Sequence, residues 1–201
     1  MSQVILHVIS SLRDGGAQRA LKNIVSENPS CSFLVLSLTS GGIYRKILQQ
    51  HSNVEILSIT GFLKRVISFR LASVSVIVGW MYHGALVVYL VRMFMPGAKP
   101  VITYRQTIYD LYDFKFVTRL VIGSCRFLNN LGSLRTVYVA STSKAHHEKL
   151  GFDVTNSVVI RNGFELPDVA VARRFEGQGD TVRFVSATRF TPQKRLDLML
   201  R

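Results

Sequence analysis

The sequence predicts an α/β fold, a parallel sheet with helices on both faces. Two observations support this prediction: short apolar runs rich in β-branched residues recur along the chain, and segments of helical length separate them. Strands that are connected through helices pair in parallel and form right-handed crossovers. With 201 residues, 48% of them hydrophobic, the chain is also large enough to bury a substantial core.

The first predicted strand and the glycines behind it are the most informative stretch. Val4–Ile9 is a mostly apolar run, typical of a strand buried on both faces. Gly15 and Gly16 follow, and from Ala17 apolar residues return at helical spacing. Glycines let a ligand approach the backbone, and the start of a helix attracts anions. The stretch therefore predicts a phosphate or sugar site. The alternative is an ordinary connection in which glycine serves only to turn the chain.

The remaining elements alternate in the same way. Six further strands are predicted at residues 33–36, 54–59, 74–78, 101–104, 136–140 and 158–160. Helices are predicted from residue 17, at 43–50, 62–72, 85–95 and 114–131, and from Ser141 or Ser143 to residue 150. In a parallel sheet of this kind the ligand lies at the carboxyl ends of the strands, which is where the two glycines are placed.

The net charge of the chain predicts an anionic binding partner. The chain carries 25 basic and 12 acidic side chains, a formal charge of +13, which suits nucleic acid, an anionic membrane surface or phosphorylated small molecules. No nucleic-acid-binding motif is present, so no nucleic acid is predicted. The helix at 62–72 combines apolar residues with Lys64, Arg65 and Arg70, a composition that fits a membrane surface. The alternative is a core-facing helix with a solvated basic rim.

Several features indicate a cytoplasmic protein, with the inner face of the membrane as a further location. Cys31 and Cys125 lie far apart and are predicted to be reduced, buried thiols, and no secretory signal is present. Residues 71–91 contain no formally charged side chain and are long enough for a transmembrane span, the alternative to a strand and a helix there. His146 and His147 lack a third metal ligand nearby and are predicted to be exposed, so no metal site is expected.

The end of the chain predicts the beginning of a second domain. Residues 1–165 are expected to form the first domain, 166–180 a linker, and 181–201 the start of a second strand–loop–helix unit. In that unit Arg189 and Lys194 precede the predicted helix. Two cations in this position suit a diphosphate, although cations in a loop are also common on a solvated surface.

Five short motifs, taken together, resemble family 4 glycosyltransferases of the GT-B fold, in which two Rossmann-like domains face a cleft. They are GGAQR at 15–19, WMYH at 80–83, YRQ at 104–106, NGFE at 162–165 and RFTPQKR at 189–195. The resemblance covers the whole chain and about the first half of a family member. It implies retaining transfer of a sugar from a nucleotide-sugar, often a UDP-sugar, to a lipid-linked or polysaccharide acceptor in cell-surface glycan synthesis. It implies no cofactor and no bound metal.

The resemblance also implies roles for individual residues on the donor side. Gly15 and Gly16 would approach the distal phosphate of the donor. Arg189 and Lys194 would neutralise the diphosphate from the second domain, where water is excluded once the cleft closes. These four residues form the expected donor diphosphate site.

On the acceptor side, the resemblance implies a catalytic role for His83 against the sugar or acceptor, with a purely structural role as the alternative. Gln18 and Arg105 would bind the acceptor. The chain departs from the family because no glutamate is followed by another eight positions on, so the Glu-x7-Glu element that holds the donor sugar is missing. We therefore expect no transfer by this chain alone. The alternatives are a non-catalytic fold remnant, a membrane-surface module, or half of a split enzyme completed by a donor-domain chain.

Overall fold

The computed structural model describes residues 3–67, 73–132, 134–163, 185–188 and 196–199. Contacts divide the chain into two units, Met1–Asn162 and Gly163–Arg201. The second unit contains a short 3-10 helix at Leu196–Leu198. The predicted linker at 166–180 lies outside the described residues, as do Arg189 and Lys194. All further elements belong to the first unit.

Seven strands form one parallel sheet in the described part of the first unit. They are β1 Val4–Ile9, β2 Ser32–Ser37, β3 Val54–Leu57, β4 Val74–Trp80, β5 Lys99–Tyr104, β6 Arg135–Tyr138 and β7 Ser157–Val159. Their order across the sheet is β3-β2-β1-β4-β5-β6-β7, and every neighbouring pair is parallel. The predicted α/β fold is confirmed.

Six α-helices are described between and beside these strands. They are α1 Gly16–Glu27, α2 Ile43–Gln49, α3 Ile59–Ile67, α4 Met81–Val91, α5 Phe116–Leu131 and α6 Ser141–Lys149. Two separate apolar clusters show that helices cover both faces of the sheet. Leu21 of α1 and Leu48 of α2 pack with Val35, whereas α3, α4 and α5 pack with Leu36. Val35 and Leu36 are consecutive in β2, so their side chains point to opposite faces.

Helix α4 begins at Met81, four residues before the predicted start at residue 85. The reason is a close approach between α4 and β1. A Cβ added to Gly84 would lie 2.4 Å from the carbonyl oxygen of Val8, so the first turn of α4 rests directly on the β1 backbone. Tyr, His and Gly have modest to poor helix propensity, and tertiary packing overrides that preference here.

The uncharged stretch at 71–91 is a strand followed by a helix over its described residues. Strand β4 ends at Trp80, and α4 occupies the 11 residues from Met81 to Val91. Among the described residues, no helix combines the length and the apolar character needed to cross a bilayer. The strand-and-helix interpretation of this stretch is the one the structure shows.

The expectation that both His146 and His147 are exposed is wrong for His147, which is 0% exposed. Its Nδ1 lies 2.8 Å from the carbonyl oxygen of Ser143, and because a carbonyl only accepts, Nδ1 carries the proton. The Nε2 atom then accepts from the hydroxyl of Tyr82, 3.0 Å away. Burial lowers the pKa of His147 to about 4. The neutral ring thus connects α6 to α4.

Both cysteines are free thiols, as predicted, but the prediction that both are buried is wrong for Cys31, which is half-buried. Cys125 of α5 is buried, and its Sγ donates to the carbonyl oxygen of Tyr82 at 3.2 Å. Burial raises the pKa of this thiol to about 12, so it stays protonated and unreactive at neutral pH. The contact joins α5 to the first turn of α4, the same turn that His147 reaches from α6.

We expect the free energy of unfolding to decrease as the pH falls from about 6.5 to about 4. His147 stays neutral in the folded chain over this range but takes up a proton in the unfolded chain, so acid favours unfolding. The contribution of this histidine is up to about 1.4 kcal/mol per pH unit. Urea denaturation at several pH values should show that His147→Asn removes this part of the slope. His146→Asn is the control, and equal slopes in the two variants would contradict the assignment.

The close approach at Gly84 predicts opposite effects for two glycine-to-alanine changes in helices. Gly84→Ala forces a methyl group against the Val8 carbonyl and should lower the free energy of unfolding by roughly 1–3 kcal/mol. Gly123→Ala in α5 adds a Cβ that meets no atom within 4 Å, and should raise it by up to about 1 kcal/mol. Urea denaturation measures both. Stabilisation by Gly84→Ala would show that α4 does not rest on β1 as described.

Candidate functional site

The sheet reverses its direction of growth between β1 and β4. From β1 the chain continues to its neighbour β2, whereas from β4 it continues to β5 on the other side. The connections after two such strands diverge and leave a crevice outside their carboxyl ends, where sheets of this kind bind ligands. Gly15, Gly16 and His83 follow these two strands, and Arg105 follows β5. The structure therefore brings these four predicted residues to one edge of the sheet.

The loop between β1 and α1 is held by hydrogen bonds to the carbonyl oxygens of residues 10–12. The carbonyl oxygen of Ser10 accepts from Thr39 Oγ1 at 3.1 Å. The carbonyl oxygen of Ser11 accepts from Gln18 Nε2 at 2.8 Å, and that of Leu12 accepts from the backbone N–H of Tyr44 at 3.1 Å. The loop is thus anchored to α1, to α2 and to the segment that follows β2 before any ligand arrives. The amide nitrogen of Gln18 takes part in this anchoring, and the role of Gln18 toward an acceptor stays a prediction.

The N-terminus of α1 is available to an anion. Among the described residues, no side chain caps it and no acidic residue lies in its first turn. The N–H of Arg19 donates to the carbonyl of Gly15 at 3.0 Å, so the N–H groups of residues 16–18 have no partner within the helix. A Cβ on Gly16 would meet no atom within 4 Å. Free amides, a positive dipole and open space therefore coincide at this point.

The backbone does not support the alternative in which these glycines serve only to turn the chain. Gly15 has a φ of 170°, an extended conformation open to any residue. Among the described glycines, left-handed φ values occur at Gly41, Gly42 and Gly151, and not at Gly15 or Gly16. A Cβ on Gly15 would lie 2.6 Å from Gln18 Oε1, so this glycine makes room for the Gln18 amide, whereas Gly16 leaves open space beside the backbone where a ligand can approach.

A second uncapped helix N-terminus lies at the same edge. Helix α4 begins after Trp80, and in the described part of the chain it has neither a side-chain cap nor an acidic residue in its first turn. His83 lies in this turn and is half-buried. Met81 has a φ of 58°, a left-handed conformation that costs energy in any residue other than glycine. Strain of this kind clusters at functional sites because the surrounding structure must hold it in place.

Two side chains lock β1 to β4 behind this edge. Trp80 Nε1 donates to His7 Nδ1 at 3.0 Å within the core. Burial lowers the pKa of His7 to about 3, so the ring is neutral and its Nδ1 can accept. No role was predicted for His7 from the sequence. Its signal in the sequence is a polar side chain inside the otherwise apolar run Val4–Ile9.

Arg105 is fixed at the carboxyl end of β5 by three contacts. Its guanidinium lies over the Trp80 ring, 4.7 Å from the centroid, and donates to Asn162 Oδ1. Its backbone N–H donates to Met81 Sδ at 3.3 Å. Burial lowers the pKa of Arg105, but a guanidinium remains charged at neutral pH. The structure thus places one oriented cation next to the crevice, and Asn162 is hydrogen-bonded to that cation.

The arrangement is chemically suited to a polyanion. Two helix N-termini and one oriented guanidinium supply amide donors and positive charge at the same sheet edge. Within the residues that the structure describes, no cluster of three or more His, Cys, Asp or Glu side chains is suited to a metal ion. The other two predicted donor-site residues, Arg189 and Lys194, lie outside the described residues, so their part in the site stays a prediction.

Comparison with known proteins finds similarity in fold. Two crystal structures of Anabaena Alr3699/HepE, one in complex with UDP and one with UDP and glucose, each align with a TM-score of 0.66. They are 20% and 19% identical over 82% and 81% of this chain, which spans 45% of each matched chain. No protein-family model and no curated protein matches. At this identity the likeness establishes that the chain has the Rossmann-like α/β fold of about half of HepE.

Proposed function

We propose that the chain is the acceptor-side part of a glycosyltransferase whose donor is a nucleotide-sugar. The observation that carries this proposal is the pair of uncapped helix N-termini, α1 and α4, at the reversal between β1 and β4. A diphosphate is the part of a nucleotide-sugar that such a site would recognise. The likeness in fold to HepE crystallised with UDP supports UDP as the nucleotide. Because the chain spans 45% of HepE, the glycosyl transfer carried out by a complete enzyme is proposed and does not follow from the likeness in fold.

In the proposed reaction, the bond between C1 of the sugar and the diphosphate oxygen breaks, and an acceptor hydroxyl oxygen bonds to C1. The products are the glycosylated acceptor, UDP and a proton. Negative charge grows on the departing phosphate oxygen, and the amides after Gly15, with the α1 dipole, would stabilise it. Arg189 and Lys194 would add positive charge from the second unit, so the proposal needs no metal. On the basis of the five motifs, we further propose that the anomeric configuration of the sugar is retained and that the chain is a member of family 4.

The acceptor side of the proposal rests on the residues after β4 and β5. His83, in the first turn of α4, would contact the sugar or the acceptor. Arg105 is held by Trp80 and Asn162 in one orientation, which suits an anionic group such as the phosphate of a lipid-linked acceptor. Gln18 would lie near the acceptor by resemblance. A lipid-linked or polysaccharide acceptor is the class that these residues fit.

A carboxylate placed at the start of α1 should weaken UDP binding without unfolding the chain. Gly16→Asp puts a negative charge where the diphosphate is proposed to bind, while an acidic first turn stabilises the helix itself. We expect the Kd for UDP, measured by isothermal titration calorimetry, to rise at least about tenfold, which corresponds to about 1.4 kcal/mol.

Gly97→Asp is the matched control for this experiment. Gly97 is also an exposed glycine at which an added Cβ would meet no atom within 4 Å, and the change in net charge is the same. UDP should bind the control like the wild type, and uridine should bind the wild type much more weakly than UDP. Equal loss in both variants, or equal affinity for uridine and UDP, would contradict a diphosphate site at α1.

UDP-glucose should bind this chain without being turned over. The Glu-x7-Glu element that holds the donor sugar in the family is missing from the sequence. The expected result is therefore binding of UDP-glucose with no release of UDP in a coupled assay. Release of UDP that is lost in His83→Ala would show that the chain is catalytic by itself, against this expectation. If the chain bound neither UDP nor UDP-glucose, this result would contradict the proposed function.

A further inference from the structure

Helices α4 and α5 present a broad apolar surface to solvent. Eight large apolar side chains on α4, the 3-10 helix after it and α5 are each 56% to 81% exposed. They are Leu90, Met93, Phe94, Phe116, Val117, Leu120, Phe127 and Leu131. We call this surface the α4–α5 face. Contiguous apolar surface of this kind marks an interaction site, because isolated apolar residues are common on protein surfaces but clusters are not.

Helix α5 has two apolar sides. At about 100° per residue, its exposed apolar residues fall within about 120° of the helix circumference. Ile122 and Cys125 lie on the opposite side and are buried in the core. An ordinary surface helix carries polar residues opposite its buried side. The outer side of α5 therefore has the composition of a surface that is buried against a binding partner or a membrane when the protein functions.

An open groove between the two helices continues this surface. It has a volume of about 620 Å³, and Leu86 and Leu90 of α4 and Leu120 and Phe127 of α5 line it. Gly123 also lies on the groove and adds no side chain that would fill it. Apolar groups from outside the protein can therefore enter between the helices instead of meeting a flat surface.

Cations border the face, and neither helix carries an anion. Lys115, Arg119 and Arg126 occupy one edge of the exposed side of α5, within about 40° of the helix circumference. Arg92 follows α4 and lies over the ring of Tyr89, 5.8 Å from the centroid. Residues 81–109 and 114–147 contain no Asp or Glu. The face is therefore apolar with a positive rim.

We propose that the α4–α5 face docks on a bilayer that contains anionic lipids. Apolar side chains at the boundary of headgroups and acyl chains, with basic side chains at the level of the phosphates, are how amphipathic helices bind such surfaces. A second copy of the chain is a poorer occupant. A symmetric contact through this face would bring the cations of both α5 helices together. The formal charge of +13 adds long-range attraction to an anionic surface.

This proposal moves the membrane contact away from the helix at 62–72, where the sequence predicts it. In the structure Arg65 of α3 pairs with Glu55, and Phe62 is buried. Ile59, Leu63 and Ile67 are exposed there, whereas Arg70 lies outside the described residues. The α4–α5 face has more exposed apolar residues, and neither α4 nor α5 carries a carboxylate, so it is the better candidate.

Vesicle flotation tests the contribution of the cations. The wild type should float with phosphatidylcholine vesicles that contain phosphatidylglycerol, and not with phosphatidylcholine alone, at low salt. Lys115→Gln combined with Arg126→Gln should lower the partition coefficient about 30-fold. Lys46→Gln with Lys149→Gln changes the net charge equally at two exposed sites on α2 and α6. The partition coefficient of this control pair should fall far less, and an equal fall in both pairs would overturn the proposal.

The apolar contribution is tested in the same assay. Phe116→Ser with Phe127→Ser should weaken binding at least about tenfold, because two exposed aromatic side chains no longer enter the bilayer. Ile43→Ser with Leu63→Ser removes two similarly exposed apolar side chains from α2 and α3 and should bind like the wild type. Unchanged UDP affinity in the Phe pair shows that it is folded. Absence of wild-type binding at low salt, or a dimer that only the Phe pair dissociates, would overturn the proposal.

Discussion

The contact between the first turn of α4 and the backbone of β1 is the constraint on which the rest of the site depends. The Val8 carbonyl leaves no room for a side chain at Gly84, and this brings the beginning of α4 onto the end of β1. Because β1 and β4 are neighbours at the reversal of the sheet, the N-termini of α1 and α4 open at the same edge. A larger residue at position 84 would push α4 away and separate the two groups of free amides.

The side chains behind this edge hold it in one arrangement before a ligand binds. Trp80 donates to His7 across β1 and β4, and the guanidinium of Arg105 lies over the same Trp80 ring. Donors that are already oriented lose little entropy on binding and need little reorganisation when charge develops on a leaving group. Helix α4 also connects the two proposals, since its 11 residues span about 16 Å from the crevice to the α4–α5 face. A lipid-linked acceptor held in a bilayer at that face would lie near the crevice.

The sequence predicted the sheet well because buried parallel strands read as apolar runs. Val4–Ile9 has the bounds predicted for it, and each of the other six strands differs by one or two residues at one or both ends. The start of α4 was missed because it depends on the contact between Gly84 and Val8, residues 76 positions apart in the chain. His147 was predicted to be exposed for a similar reason. Its partner Tyr82 lies on another helix, and no local pattern reveals that contact. The positions of Gly15, Gly16, His83 and Arg105 at one edge followed from their places after predicted parallel strands, whereas the support from His7 and Trp80 could not be predicted in this way.

The most direct test of a nucleotide site between α1 and α4 is to map UDP binding on the backbone amides by NMR. We predict that the largest chemical-shift changes occur at residues 16–18 and 81–84, the first turns of the two helices. Smaller changes are expected at Arg105, and none at Gly123 on the α4–α5 face. Changes concentrated on α5, or spread evenly over the basic surface, would contradict the claim that the reversal between β1 and β4 is where the nucleotide binds.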